Sequence, residues 1–359
     1  MKKLHLQILF LCIILIGCNK EDNTQKKFYT LSQISTTTYD KNNAGLHDDF
    51  IVKVVMDKND NIWIGTFAKG IAKFDGANFH VYNTQNSGLS NDSIWDMVFD
   101  NQNNLWIATM NGLSKFDGVN WATFNMKNSN LPVKFISTVA VDKDNIVWLG
   151  CGNAEEGGLM KFDGVNWELY TTENSSLPCR IINKIFIDKN NNKWIATNVF
   201  QGNGGIVKID GNNWTVFNKN NTIMPLNCAE EITQDMDGNI WVASASYFFE
   251  ESESSLLRYD GKNWEVFKPN NSTQNKLTNR ITCLKADMYN NIWIATSPEP
   301  GQQPNYEITM FNGKEWFVLS DFDSTFPHTY VKDMLFDKNN ILWIGQTGFG
   351  LMKTIITLK

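Results

Sequence analysis

The chain has 359 residues, 42% of them hydrophobic, with 38 acidic against 32 basic side chains and a net charge of −6. An acidic balance repels phosphate backbones, so nucleic acid is not an expected partner. Six cysteines, scattered without CxxC or His spacing, exclude a zinc ribbon or a dense disulfide scaffold.

The chain opens on Lys2 and Lys3 followed by an apolar run, Ile8 to Ile16, too short to span a bilayer. That pattern is a secretory signal over residues 1–17. Its end, Leu15-Ile16-Gly17-Cys18, resembles the bacterial lipobox, which implies lipidation of Cys18. Asn19-Lys20-Glu21-Asp22 resembles the lysine-plus-acidic signal that exports lipoproteins of Bacteroidetes-type bacteria to the cell surface. Residues 18–27 are then a polar tether, and the chain is expected on the outer membrane, with a periplasm-facing anchor as the alternative. Without its first 17 residues the chain carries 30 basic against 38 acidic side chains, a net charge of −8.

From residue 28 onward one phrase recurs seven times. Its tryptophans are Trp63, Trp106, Trp148, Trp194, Trp241, Trp293 and Trp343, spaced 43, 42, 46, 47, 52 and 50 residues apart, each with an aspartate six positions earlier. Such a period signals a repeat array. The second unit reads as four strands: Ile94 to Phe99, Leu105 to Thr109, Leu113 to Phe116 and Trp121 to Phe124. Between them stand polar turns, Asn111-Gly112 and Asp117-Gly118, whose residues tolerate positive φ. Four short antiparallel strands per repeat predict an all-β, seven-bladed propeller over 28–359. The chain ends after a third strand, Leu351 to Ile356, while Thr36 to Tyr39 matches a fourth. The first strand should therefore complete the last blade and close the ring.

Antiparallel alternation puts the loops from fourth to first strand and from second to third strand on one face. The second-to-third loops lengthen in blades 3 to 6, at Cys151 to Gly158, Asn198 to Gly205, Ser244 to Ser255 and Ser297 to Tyr306, which points to that face as the binding face. The blade 5 insertion offers Tyr247, Phe248 and Phe249 beside Glu250, Glu251 and Glu253, either as a contact surface or as the loop's own small core. Seven residues before the repeated aspartates stand Phe50, Ser93, Phe135, Ile181, Cys228, Arg280 and Tyr330, expected to ring the mouth of the central channel. Trp95, Asn183, Glu230 and Lys332 follow slightly deeper, beside Asp96, Lys184, Glu231 and Asp333. Arg180 and Arg280, two of three arginines in the chain, fall at this rim, and arginine's planar fork suits carboxylate or phosphate. Of thirteen tryptophans, seven belong to the second strands and five (Trp121, Trp167, Trp214, Trp264, Trp316) open fourth strands, so only Trp95 lacks a place in the repeat.

Asp235 to Asn239, DMDGN, looks like the start of a calcium loop but is the ordinary repeat turn, with no glutamate at the twelfth position. No nucleophile elbow, phosphate loop or paired-carboxylate motif is visible, and no cofactor, metal or catalytic residue is expected. Cys151, Cys179, Cys228 and Cys283 read as buried thiols, with a disulfide between Cys151 and Cys179 as the alternative.

DxxxNxWIGT, GLxKFDGxxW and NSxLP, as in Asn104 to Trp121 and Asn128 to Pro132, resemble the two-component regulator propeller repeat. The resemblance implies a seven-bladed ring with a ligand-capable axial face, and in that family such repeats often sense glycan fragments. The function expected is recognition of an extracellular carbohydrate or protein by Trp95, Arg180, Glu230, Arg280, Tyr330, Lys332 and the Tyr247 to Phe249 loop. Two alternatives stay open. One is an enzyme similar to the seven-bladed lyases, for which His328 is the only histidine near the rim. The other is a scaffold subunit of an outer-membrane complex, binding through Tyr247 to Glu253.

Overall fold

A computed structural model describes residues 28–153, 155–200, 203–225, 227–244, 254–267, 280–298, 306–323, 326 and 328–359. Their strands form seven four-stranded antiparallel sheets, each paired in chain order from the innermost strand outward. The last sheet is the exception: Leu31–Tyr39 lies as its outermost strand against Gly350–Leu358, with Tyr39 opposite Leu351 and Leu31 opposite Leu358. The ring therefore closes as the sequence predicts, with both closing strands longer than expected. No helix among the described residues is long and apolar enough to cross a membrane.

The repeated aspartate is the knot of each blade. Asp57 accepts the amides of Asn59 and Asn61 on one carboxylate oxygen, and the Asn61 side chain and the Trp63 indole N–H on the other. The aspartate-to-tryptophan bond recurs in all seven blades at 2.8–3.2 Å. A buried indole N–H must be paired, and a carboxylate held by several donors ties turn and strand together. The residue three after that aspartate takes positive φ, as Asp60, Asn103 and Asn191 do, and so asparagine, aspartate or glycine stands there. The third-strand lysine, which opens the KFDG phrase in blades 1 and 2, also finds its reason: Lys73, Lys115, Lys208 and Lys353 lie 5.0–5.7 Å over the tryptophan of their own blade.

The core sits between blades. Trp63 of blade 1 packs with Leu105, Ile107 and Phe116 of blade 2, and Trp343 of blade 7 packs with Ile62, Ile64 and Phe74 of blade 1. The fourth-strand tryptophans stack on the preceding strand's aromatic, Trp167 on Phe162 at 3.9 Å and Trp316 on Phe311 at 4.3 Å.

The blade 4 insertion is not a loop throughout. Strands Lys193–Phe200 and Asn203–Asp210 extend their ladder into it, with an irregularity between Thr197 and Phe200. The blade 5 residues Tyr247, Phe248, Phe249, Glu250, Glu251 and Glu253, and the whole of 1–27 including Cys18, lie outside the described residues. Cys151, Cys179, Cys228 and Cys283 are buried thiols that form no disulfide with one another.

Candidate functional site on the propeller axis

Six of the seven innermost strands carry the same irregularity. The ladder slips by one residue between Ile51 and Lys53, Ile94 and Asp96, Ile136 and Thr138, Ile182 and Lys184, Ile281 and Cys283, and Val331 and Asp333. A bulge re-aims side chains, so two consecutive residues can face the same way. That is why Trp95 with Asp96, Asn183 with Lys184, and Lys332 with Asp333 line one axial cavity of about 300 Å³.

The cavity wall is aromatic on two sides. Trp95 meets Phe135 edge to face at 4.8 Å, and Tyr330 meets Tyr306 at 6.2 Å. A ladder continues outward from Trp95 to Phe67 at 6.3 Å and on to Phe50 at 5.4 Å, both exposed at the rim.

Deeper, the charges are paired. Lys53 Nζ stands 3.1 Å from Asp96 and 3.2 Å from Asp333, and Lys285 Nζ stands 3.0 Å from the other oxygen of Asp333. Asp96 also accepts from the Thr138 hydroxyl at 2.7 Å and the Val139 amide, and Asp333 from the Val54 amide. Burial pushes against every one of these charges, and the partners outweigh it. Asp96 and Asp333 stay below the ordinary carboxylate range, and Lys53 is raised well above the usual lysine value. Nearer the mouth, Arg280 donates to Glu230 at 3.0 Å; burial still raises the Glu230 carboxyl, with Arg280 opposing it. Lys184 lies 3.7 Å from Glu231. Four cations and four anions line the cavity: Lys53, Lys184, Arg280 and Lys332 against Asp96, Glu230, Glu231 and Asp333. The buried Trp95 Nε1 and Glu231 Oε2 there find no hydrogen-bond partner among the described residues.

The structure thus gathers Trp95, Glu230, Arg280, Tyr330 and Lys332, five of the expected residues, around one cavity. Arg180 is not among the lining residues. Its guanidinium turns to the carbonyls of Glu155 and Gly157 and to the Glu173 carboxylate, clamping the blade 3 insertion. Of the expected mouth residues, Phe135, Ile181, Arg280 and Tyr330 line the cavity, whereas Phe50, Ser93 and Cys228 do not. Cys228 is fully buried, its thiol near Asn198 and Glu230. His328 is exposed, with Nδ1 3.0 Å from the Tyr306 carbonyl, and does not line the cavity. Lys53 was missed by sequence reasoning; its signal was a lone cation in the apolar innermost strand IVKVVM. No cluster of three or more metal-ligating side chains occurs among the described residues, and the DMDGN aspartate makes the ordinary turn, bonding Asn239 and Trp241.

Residues 45–68 and 88–111 match the family described as "Two component regulator propeller". These two stretches are two-component regulator propeller repeats. A search of curated proteins finds no match. Among solved structures, the repeat ring is similar to the extracellular domain of a hybrid two-component system from B. thetaiotaomicron, at 19% identity and a TM-score of 0.67 over 91% of this chain and 42% of that one. It is similar to virginiamycin B lyase from Staphylococcus aureus at 13% identity and a TM-score of 0.65, over 92% of this chain and 100% of that one. PorZ, a surface component of the type-IX secretion system of Porphyromonas gingivalis, is similar at 15% identity and a TM-score of 0.57, over 84% of this chain and 46% of that one. At these identities the likeness is one of fold. The chain spans about two-fifths of the length of the regulator ectodomains it matches, 42% and 40% of the first two.

Proposed function

We propose that this propeller is a lipid-anchored outer-membrane protein whose axial cavity binds a neutral, hydroxyl-rich extracellular ligand, a glycan, without covalent chemistry. The observation that carries the reading is the cavity wall. Its four cations and four anions balance, several already paired with each other, so little net field is left for a charged ligand. What the wall offers instead is aromatic rings, Trp95, Phe135 and Tyr330, interleaved with fixed polar groups. Aromatic and apolar lining with a few placed donors and acceptors is the usual make-up of a small-ligand pocket. The unpaired Trp95 Nε1 and Glu231 Oε2 add groups that gain from a ligand hydroxyl, because an unsatisfied buried polar atom costs about 1–3 kcal/mol. The extracellular setting of the regulator propellers it resembles agrees with a surface location.

A glycan array probed with the lipid-free propeller tests this. Binding is expected for the parent chain and for Arg180→Ala, and is expected to be lost in Trp95→Ala at an unchanged melting temperature. Binding that survives Trp95→Ala, or a blank array for the parent, overturns the glycan reading; the blank array redirects the search to a protein ligand by cross-linking on cells.

A further inference from the structure

The face opposite the cavity mouth carries the turns between first and second strands and between third and fourth strands, and it is also where the described chain begins. The Tyr29 ring packs tilted against Tyr289 of the blade 6 turn at 4.6 Å, and its carbonyl accepts from the Asn312 side chain at 2.9 Å. The Phe28 ring lies beside Gly313 in the neighbouring hairpin. Leu31–Tyr39 then runs from this face to the mouth face, so whatever precedes Phe28 departs on the side away from the cavity.

The residue after each repeated aspartate makes a ring on this face: Lys58, Asn101, Lys143, Lys189, Met236, Met288 and Lys338. Its two apolar members are neighbours, in the very sector where the chain begins. Met236 is 59% exposed, Met288 53%, Tyr289 38% and Phe28 43%. The two turns are joined by the Met236 amide donating to Asn290 at 2.7 Å. Exposed Lys262 and Lys314 crown the hairpins of the same two blades, where blades 2 and 3 present Val119 and Val165. The three acidic groups of the same turns, Asp237, Asp260 and Glu315, outnumber those two lysines, so the patch is apolar rather than cationic. Lysines beside an exposed methionine and aromatic cluster can lay their stems on a bilayer boundary and keep their ammonium groups in water.

We infer that this sector, Phe28, Met236, Met288 and Tyr289, rests on the membrane interface, and that the propeller stands with its cavity mouth turned to the medium. The inference rests on the lipid anchor at Cys18. Nine residues separate Cys18 from Phe28, and the ten steps between the two span at most about 35 Å, so the first surface within reach of the anchor is this one.

The test uses the full, lipidated chain in phosphatidylethanolamine and phosphatidylglycerol vesicles holding a headgroup spin-labelled lipid. A bimane is attached to Lys314→Cys or to Phe349→Cys on the mouth face; the four propeller cysteines are buried and stay unlabelled. Emission at 314 is expected to fall about twofold while that at 349 holds, and the quenching at 314 is expected to vanish when Met236→Glu and Met288→Glu are added. Quenching at 349, equal quenching at both sites, or quenching at neither on chain that floats with the vesicles overturns the contact. Chain that fails to float and shows no acyl mass on Cys18 removes the anchor, and the inference with it, while leaving the cavity to be judged by the glycan array.

Discussion

Replacing Lys53 by Met keeps the length of the side chain and removes the cation between Asp96 and Asp333. All three side chains are nearly buried, 11%, 8% and 5% exposed, so water cannot take over the lost pairing. Breaking a buried charge pair by removing one partner costs about 3–5 kcal/mol. With about 2.1 cal/mol/K of unfolding entropy per residue over about 330 residues, the melting temperature falls by about 4–7 °C. The pH profile carries a second signature. Asp96 and Asp333 hold protons less readily folded than unfolded, so the stability they contribute is complete above the ordinary aspartate value of 3.8 and is lost as pH falls below it. Lys53 is raised above 10.5, so its contribution is complete below that value and is lost as pH rises past its folded value. Removing Lys53 lets both carboxyls climb, and the acid limb of the stability curve moves to higher pH. Circular dichroism melts from pH 3 to pH 9 measure both effects, and adding Asp96→Asn to Lys53→Met should recover part of the loss, since Asp333 keeps Lys285 as its partner whereas Asp96 is left without a close cation. A Lys53→Met chain that melts within about 1 °C of the parent, with its acid limb unmoved, would show that the ion network does not hold the axis together.

The aspartate knot makes a second prediction. Asp188→Ala strips partners from the buried Trp194 indole and from Asn192, at about 1–3 kcal/mol for each buried donor left unpaired, read as a lowered melting temperature and faster hydrogen exchange at the Trp194 indole. An unchanged melt would mean the knot is dispensable. The thiols make a third: burial pushes Cys151 and Cys283 up to about 12, so a disulfide reagent at pH 8 should label neither until the chain is unfolded. Rapid labelling of native protein at those positions would refute their burial.

The fold was legible because the repeat is repeated. Asp57 and Trp63 in one unit could be anything, but their six-residue spacing in all seven units fixes a common local structure, and the structure shows the hydrogen bond responsible. Arg180 shows the limit of that logic. Repeat position placed it beside the rim, yet a long side chain goes where its partners are: the blade 3 insertion offered two carbonyls, and Glu173 in the loop after the fourth strand offered a carboxylate.

The axis itself was legible in a different way. On a regular strand Trp95 and Asp96 would point to opposite faces, and the alternation rule would have assigned one of them to the blade interior. The bulge in the innermost strand breaks that rule in six blades, and nothing in a single strand such as IWDMVF announces it. What did announce it was the departure from the repeat: a tryptophan with no template partner, beside an aspartate in an otherwise apolar strand. Lys53 carried the same kind of signal in IVKVVM, a cation where packing gives no reason for one. It marks the point where three blades meet through one ammonium and two carboxylates. In a repeat protein the shared residues build the ring, and the residues that break the pattern on the innermost strands are where a ligand site can differ from one propeller to the next.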